Sequence, residues 1–254
     1  DVEIGVNRRM GAALDRRAGI LKVVDAKTGK IVSAEALVRW FHEQKGFISP
    51  GQFIPALEKG GYISELDRYM IEKVTGCLDQ RRAEKKRFVP VSVNLSWMDF
   101  YDENMLEWIV RGLKKNNQNE QKIRFEITET SLAAIGENHT RMLMHLKENG
   151  AEILLDDFGN GYSSFGMLQD YDFDILKMDI SFVRNIGVNK KSESILRAII
   201  DMAHQLGIRL VAEGAETEEQ VAFLRANGCD YIQGYYYYKP MPENEFLQLL
   251  DEGK

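Results

Sequence analysis

Glu152-Ile153-Leu154-Leu155-Asp156-Asp157-Phe158-Gly159 is an apolar run that ends in two adjacent carboxylates. Three aliphatic residues in a row read as a strand buried on both faces, the kind found in parallel sheets covered by helices. Two neighbouring acids repel each other, and the pair is costly unless cations neutralise it. Inside a strand they would point to opposite faces, but at a strand end, where the backbone turns, both can reach one site.

Further runs of the same form lie on either side. Residues 31–40 (IVSAEALVRW) carry Glu35, 88–96 (FVPVSVNLS) Asn94 and 123–130 (IRFEITET) Glu126. Residues 173–179 (FDILKMD) carry Lys177, 208–214 (IRLVAEG) Glu213 and 230–236 (DYIQGYY) Gln233. Helical patterns separate them. Ser49-Pro50 opens one that Gly60-Gly61 stops, and Ser64 is placed to cap a longer one through Leu66, Met70, Val74 and Leu78. Others run from Met98 to Lys115, over 141–150, from near Ser163, from Lys191 to Leu206, from Thr217 with a capping-box Gln220, and over 242–250. The strand begun at Phe173 is expected to continue through Ile180-Ser181-Phe182-Val183. Strand–helix alternation predicts a parallel sheet. Residues 19–40 also read as a hairpin turning at Lys27-Thr28-Gly29, which makes one strand antiparallel. The expected fold is α/β, a modified TIM-like (β/α)8 barrel with one antiparallel strand, over residues 21–254. Residues 1–20 read as a lead-in helix or linker.

The 254 residues suit one such barrel. With 33 Lys and Arg against 39 Asp and Glu, the net charge of −6 argues against DNA binding, and an acidic pocket repels a phosphate unless cations intervene. Cys77 and Cys229 stand outside any CxxC spacing and read as reduced thiols, which places the domain in the cytoplasm. No apolar run is long enough for a membrane span. The chain begins with Asp, as a domain cut from a longer parent would, and that parent could be membrane-anchored.

In a barrel the ends of many strands build one site at the carboxyl face. Glu35 needs a partner in its apolar strand, and Arg39 four residues on shares its face. Asn94 offers a neutral carbonyl oxygen that suits a hard cation. Glu126 faces inward better than Glu129, and Glu213 better than Glu216; Glu129 reads as a brace for a neighbouring loop. Lys177 and Asp179, two apart on the strand as read here, are placed for a lysine near an attacking water and an acid that orients it. Gln233 would hold a water or a substrate edge. The histidines show no HxH or HExxH spacing, so histidine-ligated zinc is not expected, and oxygen ligands point to Mg²⁺ or Mn²⁺. So many carboxylates imply two ions, ~4 Å apart, that activate water for in-line attack on a phosphodiester. A two-carboxylate glycosidase would leave Asn94, Lys177 and the Asp pair without roles.

With EALVRW, ISPGQFIPALE, VSVNLS, FEITET, DDFGNGYSSF, LKMDISFV, VAEGAET and YIQGYYYYKPMP in that order, the chain resembles the EAL-domain family of cyclic di-GMP phosphodiesterases from about residue 23 to 247. The resemblance implies hydrolysis of cyclic di-GMP to linear pGpG in bacterial signalling. It implies one ion on Glu35, Asn94, Glu126 and Asp156 and a second on Asp156, Asp157 and Glu213. Lys177, Glu213 and Gln233 would be catalytic; Arg39, Leu37, Asp179 and Gln233 would meet substrate. Glu129 and Glu216 would anchor loops, Glu129 the DDFGNGYSS loop that couples the site to a homodimer interface. Fusion to sensor or GGDEF domains is also implied. The chain departs from the family where Leu21-Lys22 stand in place of a Gln-Pro pair, the Gln being associated with substrate binding. An EAL-type barrel that is a cyclic di-GMP receptor or protein-interaction module is the alternative this departure raises.

Overall fold

The computed structural model describes residues 19–42, 44–115, 123–135, 140–160 and 164–253. Strands β1 (Gly19–Asp25), β2 (Ile31–Leu37), β5 (Val91–Asn94), β6 (Ile123–Thr128), β7 (Glu152–Phe158), β8 (Ile175–Met178), β9 (Arg209–Glu213) and β10 (Tyr231–Gln233) pair in sequence order. β10 closes on β1, which makes a barrel of eight strands. β1 runs antiparallel to both neighbours, and every other pairing around the ring is parallel. The short β11 (Met241–Pro242) pairs with the outer end of β1, outside the ring. β3 (Trp40–His42) and β4 (Gly46–Ile48) form a separate hairpin.

Helices fill the connections. They are α1 (Pro50–Gly60), α2 (Ile63–Ala83), α3 (Glu103–Lys115), α4 (Glu129–Ile135), α5 (Thr140–Glu148) and α6 (Ser164–Asp170). α7 (Ile180–Arg184), α8 (Lys190–Gln205), α9 (Glu218–Ala226) and α10 (Glu243–Asp251) follow. Gly61 ends α1 in the left-handed conformation, φ 74°, and Thr217 with Gln220 forms the expected capping box. Some boundaries move. Ser64 lies inside the first turn of α2, whose cap is Tyr62, and a 3₁₀ turn (Trp97–Tyr101) precedes α3. The strand expected to run through Val183 stops at Met178, because Asp179 caps α7 by accepting the Ser181 amide at 2.8 Å. Most of the expected lead-in and Ser163 lie outside the described residues.

Alternation along the strands divides the barrel interior into layers. Val23, Leu154, Ile175 and Val211 form a buried apolar plug. Two residues toward the carboxyl ends, the same faces present Asp156, Lys177 and Glu213. Below the plug, Arg124 donates to Glu152 at 2.6 Å and Arg209 reaches the other oxygen of Glu152 at 3.1 Å. A second layer of Val, Leu, Ile and Phe side chains packs the helices on the outside. Among the described residues no helix is long and apolar enough to cross a membrane.

Removing one partner of a buried ion pair strands the other charge. The Arg124 side chain is 8% exposed. Glu152→Ala should therefore destabilise the fold by about 3 kcal/mol, read from denaturant unfolding; a loss under about 1 kcal/mol would show the floor pair to be dispensable.

Candidate metal centre

Lys177 stands at the middle of the barrel mouth, 2% exposed. Its ammonium lies 2.7 Å from Glu126, 2.9 Å from Glu213, 3.0 Å from Asp156 and 3.3 Å from Glu35. Four strands thus deliver carboxylates to a fifth strand's lysine. Burial would lower the Lys177 pKa, but Asp156, Glu126, Glu213 and Glu35 hold it well above the usual lysine value.

Gln233 joins the ring from β10. Its amide donates to Glu35 at 2.7 Å and to Glu213 at 3.4 Å. Its own oxygen is a buried acceptor with no donor among the described residues. Gly234 follows because nothing larger fits: a Cβ there would lie 2.2 Å from the Ala215 carbonyl oxygen.

The acidic pair after Leu155 is brought to one side by a break in the strand. The β7–β8 register shifts between Leu155 and Phe158, and Asp157 adopts φ 56°. A left-handed residue is tolerated best when it is short and polar, and a bulge re-aims the side chains around it. Asp156, Asp157 and Glu213 consequently offer carboxylate oxygens that all lie within 4.8 Å of one another.

Charge crowding shows in the acids themselves. Burial, then the Glu35 charge, pushes Glu126 well above the usual carboxylate range. Burial and Asp156 raise Asp157. Burial raises Glu213 to about 7, with Lys177 pulling the other way. Burial would raise Glu35 too, but Lys177, Gln233 and Asn94 together hold it below the ordinary value. Glu35, Glu126, Asp156, Asp157 and Glu213 therefore set five carboxylates against one ammonium. An all-oxygen donor set with this excess of negative charge fits hard divalent cations, and the acidic cluster Asp156, Asp157 and Glu213 could hold one.

The remaining expected residues are placed as follows. Asn94 hydrogen bonds Glu35 at the exposed end of β5. Leu37 and Arg39 line a cleft of about 590 Å³ that opens from the centre, and Arg39 donates to the Val38 carbonyl at 2.9 Å. Glu129 accepts the Gly159 amide at 3.4 Å, at the start of the loop after the acidic pair. Asp179 stands as the α7 cap, outside the set of acids that contact Lys177. Glu216 is exposed, and its backbone amide bonds Gln220 at 2.7 Å. The tyrosines of 235–238 leave the strand for a turn in which Lys22, buried on the outer face of β1, lies 3.2 Å over the Tyr238 ring.

Sequence reading missed the far wall of the cleft, built by Ile54 of α1 and Ile63, Leu66 and Asp67 of α2. One signal was present: Asp67 falls four residues after Ile63, on the apolar stripe of its helix, where a carboxylate is costly.

The chain is 36% identical over 220 residues to the cyclic di-GMP phosphodiesterase PA2567 of Pseudomonas aeruginosa, covering 86% of itself and 37% of that protein. It is 32% identical over 228 residues to the probable cyclic di-GMP phosphodiesterase PdeG of Escherichia coli, covering 90% of itself and 45% of that protein. It thus spans less than half the length of either curated relative. Its fold superposes on the EAL enzyme Bd1971 in the cAMP and cyclic di-GMP bound form with a TM-score of 0.85 at 28% identity, over 96% of this chain and 67% of that one. The EAL domain pattern matches residues 23–240. With that match over most of its length, on a closed barrel whose first strand is reversed, the chain belongs to the EAL domain family.

Proposed function

We propose that this chain hydrolyses cyclic di-GMP to linear pGpG with two divalent cations, Mg²⁺ or Mn²⁺. The observation that carries this reading is the acid ring around Lys177, open to a cleft of a size that takes a small ligand. Glu35, Asn94, Glu126 and Asp156 would hold one ion; Asp156, Asp157 and Glu213 would hold the other. When bound, the ions supply Lewis-acid polarisation of the phosphate and a water acidic enough to attack at neutral pH.

The chain's own residues position the reaction. Lys177 at the centre of the acid ring and Gln233 beside Glu35 and Glu213 would orient the attacking water. Arg39, at the cleft wall, meets a phosphate oxygen, and Leu37 packs against the ligand. Water adds to one phosphorus, one bond from phosphorus to a ribose 3′ oxygen breaks, and that oxygen takes up a proton. Glu213, beside Asp156 and Asp157, would act on the reaction by holding the second ion next to the attacking water. Glu129 holds the loop after Asp157, and Phe165 beyond it, 66% exposed, offers a face for a homodimer. The greater length of the relatives supports a parent with further sensor or GGDEF domains, the EAL barrel itself working in the cytoplasm.

Leu21 is the observation that favours a second reading, a receptor with weak or absent turnover. It is the cross-strand partner of Glu35, so it shares that residue's inward face and brings an apolar side chain to the mouth. Incubation with cyclic di-GMP and Mn²⁺ or Mg²⁺, with products separated by chromatography, distinguishes the two. We expect pGpG, its loss on adding EDTA, and at least a ~100-fold drop in turnover for Glu35→Ala. Retained binding without pGpG would decide for the receptor, and turnover that survives EDTA would exclude the two-ion site. Leu21→Gln restores a hydrogen-bonding group beside Glu35 and should tighten cyclic di-GMP binding about tenfold, measured by calorimetry; unchanged or weaker binding would show that this position does not reach the ligand.

A further inference from the structure

Two acids that belong to neither ion meet beside the cleft. Asp67 comes from the apolar stripe of α2 and Asp99 from the 3₁₀ turn after β5; they are 7% and 0% exposed. Both accept the same backbone amide, that of Ser96, at 3.1 Å to Asp67 and 2.9 Å to Asp99. Two carboxyl groups thus crowd one amide hydrogen in a buried site, an excess of acceptors that one proton held between them would satisfy. Asp99 Oδ1 is a buried acceptor without a donor among the described residues. Ser96 lies two residues past Asn94, where β5 ends.

We propose that Asp67 and Asp99 share one proton, and that this neutral-plus-charged pair clamps the Ser96 amide and so positions Asn94 at the cation site. The proposal rests on the two-ion reading given above. Asp67 is the donor: its proton supplies the missing partner of Asp99, and Asp99 keeps the charge. Burial and then Asp99 push Asp67 well above the usual carboxylate range, while burial raises Asp99 and the bond from Asp67 pulls it back. The other groups that bear on the pair are Glu58 of α1 on Asp67, and Ser64 of α2 and Asp102 at the end of the turn on Asp99. Both charges, those of Glu58 and Asp102, are negative and favour keeping the proton. When the proton leaves, two like charges face each other in a dry site with one amide between them, and the turn that follows Asn94 loses its anchor.

The sign of the pH dependence follows. A proton held more tightly by the folded chain than by the unfolded one contributes stability that is present below the ordinary carboxylate pKa of about 4. That stability is lost as pH rises through the folded value. Asp67→Asn keeps the shape, accepts from Ser96 and donates to Asp99 without a titrating proton. Thermal unfolding of the metal-free chain between pH 4 and 9 should show the variant gaining on the wild type as pH rises; a gap that stays constant with pH would overturn the shared proton. The positioning is read by Mn²⁺ affinity, without turnover. Asp67→Ala should weaken Mn²⁺ binding about tenfold, and Asp67→Asn should restore it. Asp67→Ala with Asn94→Ala should bind no more weakly than Asn94→Ala alone. Losses that multiply, or an Asp67→Ala chain that binds as the wild type does, would overturn the positioning. A wild type that binds no Mn²⁺ would overturn the two-ion reading and the positioning with it, while the unfolding comparison still decides the shared proton.

Discussion

A single buried ammonium organises the upper half of this molecule. Four carboxylates within 3.3 Å of Lys177 would repel one another strongly in a mouth shielded from water, and one positive charge offsets only part of that repulsion. Two things follow from the imbalance. The strands must hold the acids in place, because the acids do not hold themselves. The residual negative charge suits the site to cations, and under the proposed function those cations would let an acidic barrel accept an anionic phosphodiester. The same crowding that costs stability is what makes the mouth a candidate metal centre.

The barrel separates these demands by height. The plug of Val23, Leu154, Ile175 and Val211 is apolar and supplies stability; the floor of Arg124, Glu152 and Arg209 closes the bottom with complementary charge. Only the carboxyl ends of the strands carry unbalanced acids. That division is the one expected of a closed parallel barrel, where the lower face serves the fold and the upper face serves the ligand. The antiparallel β1 changes one sector alone. It sets Leu21 opposite Glu35 and leaves Lys22 to stack on Tyr238 outside the ring. The departure from the family thus reaches the ligand face through Leu21 and the packing face through Lys22.

Much of this was legible beforehand because periodicity carries it. An apolar run that ends in or carries a polar residue marks a strand able to bring that residue to the mouth, and Glu126, Lys177, Glu213 and Gln233 were picked out by such runs. Their shared target was not visible, since a lysine reads as a water-positioning group until four acids are seen around it. Asp179 shows the limit of the rule. Alternation puts it on the face of Lys177, but the strand ends at Met178 and the carboxylate turns to cap α7. Capping competes with extension at every strand end, and only the folded backbone decides between them. Asp67 was hidden for a different reason, because its partner Asp99 lies thirty-two residues away on another element.

The order of apolar runs, the helix signals between them and the chemical type of each strand-end residue were determined by the sequence, because each depends on neighbours a few positions apart. Closure of β10 onto β1, the bulge that turns Asp156 and Asp157 to one side, and the meeting of Asp67 with Asp99 were decided by tertiary structure. Those depend on which strands and helices end up side by side, and a side chain's protonation and reach are set by groups that are distant in the chain and adjacent only once it has folded.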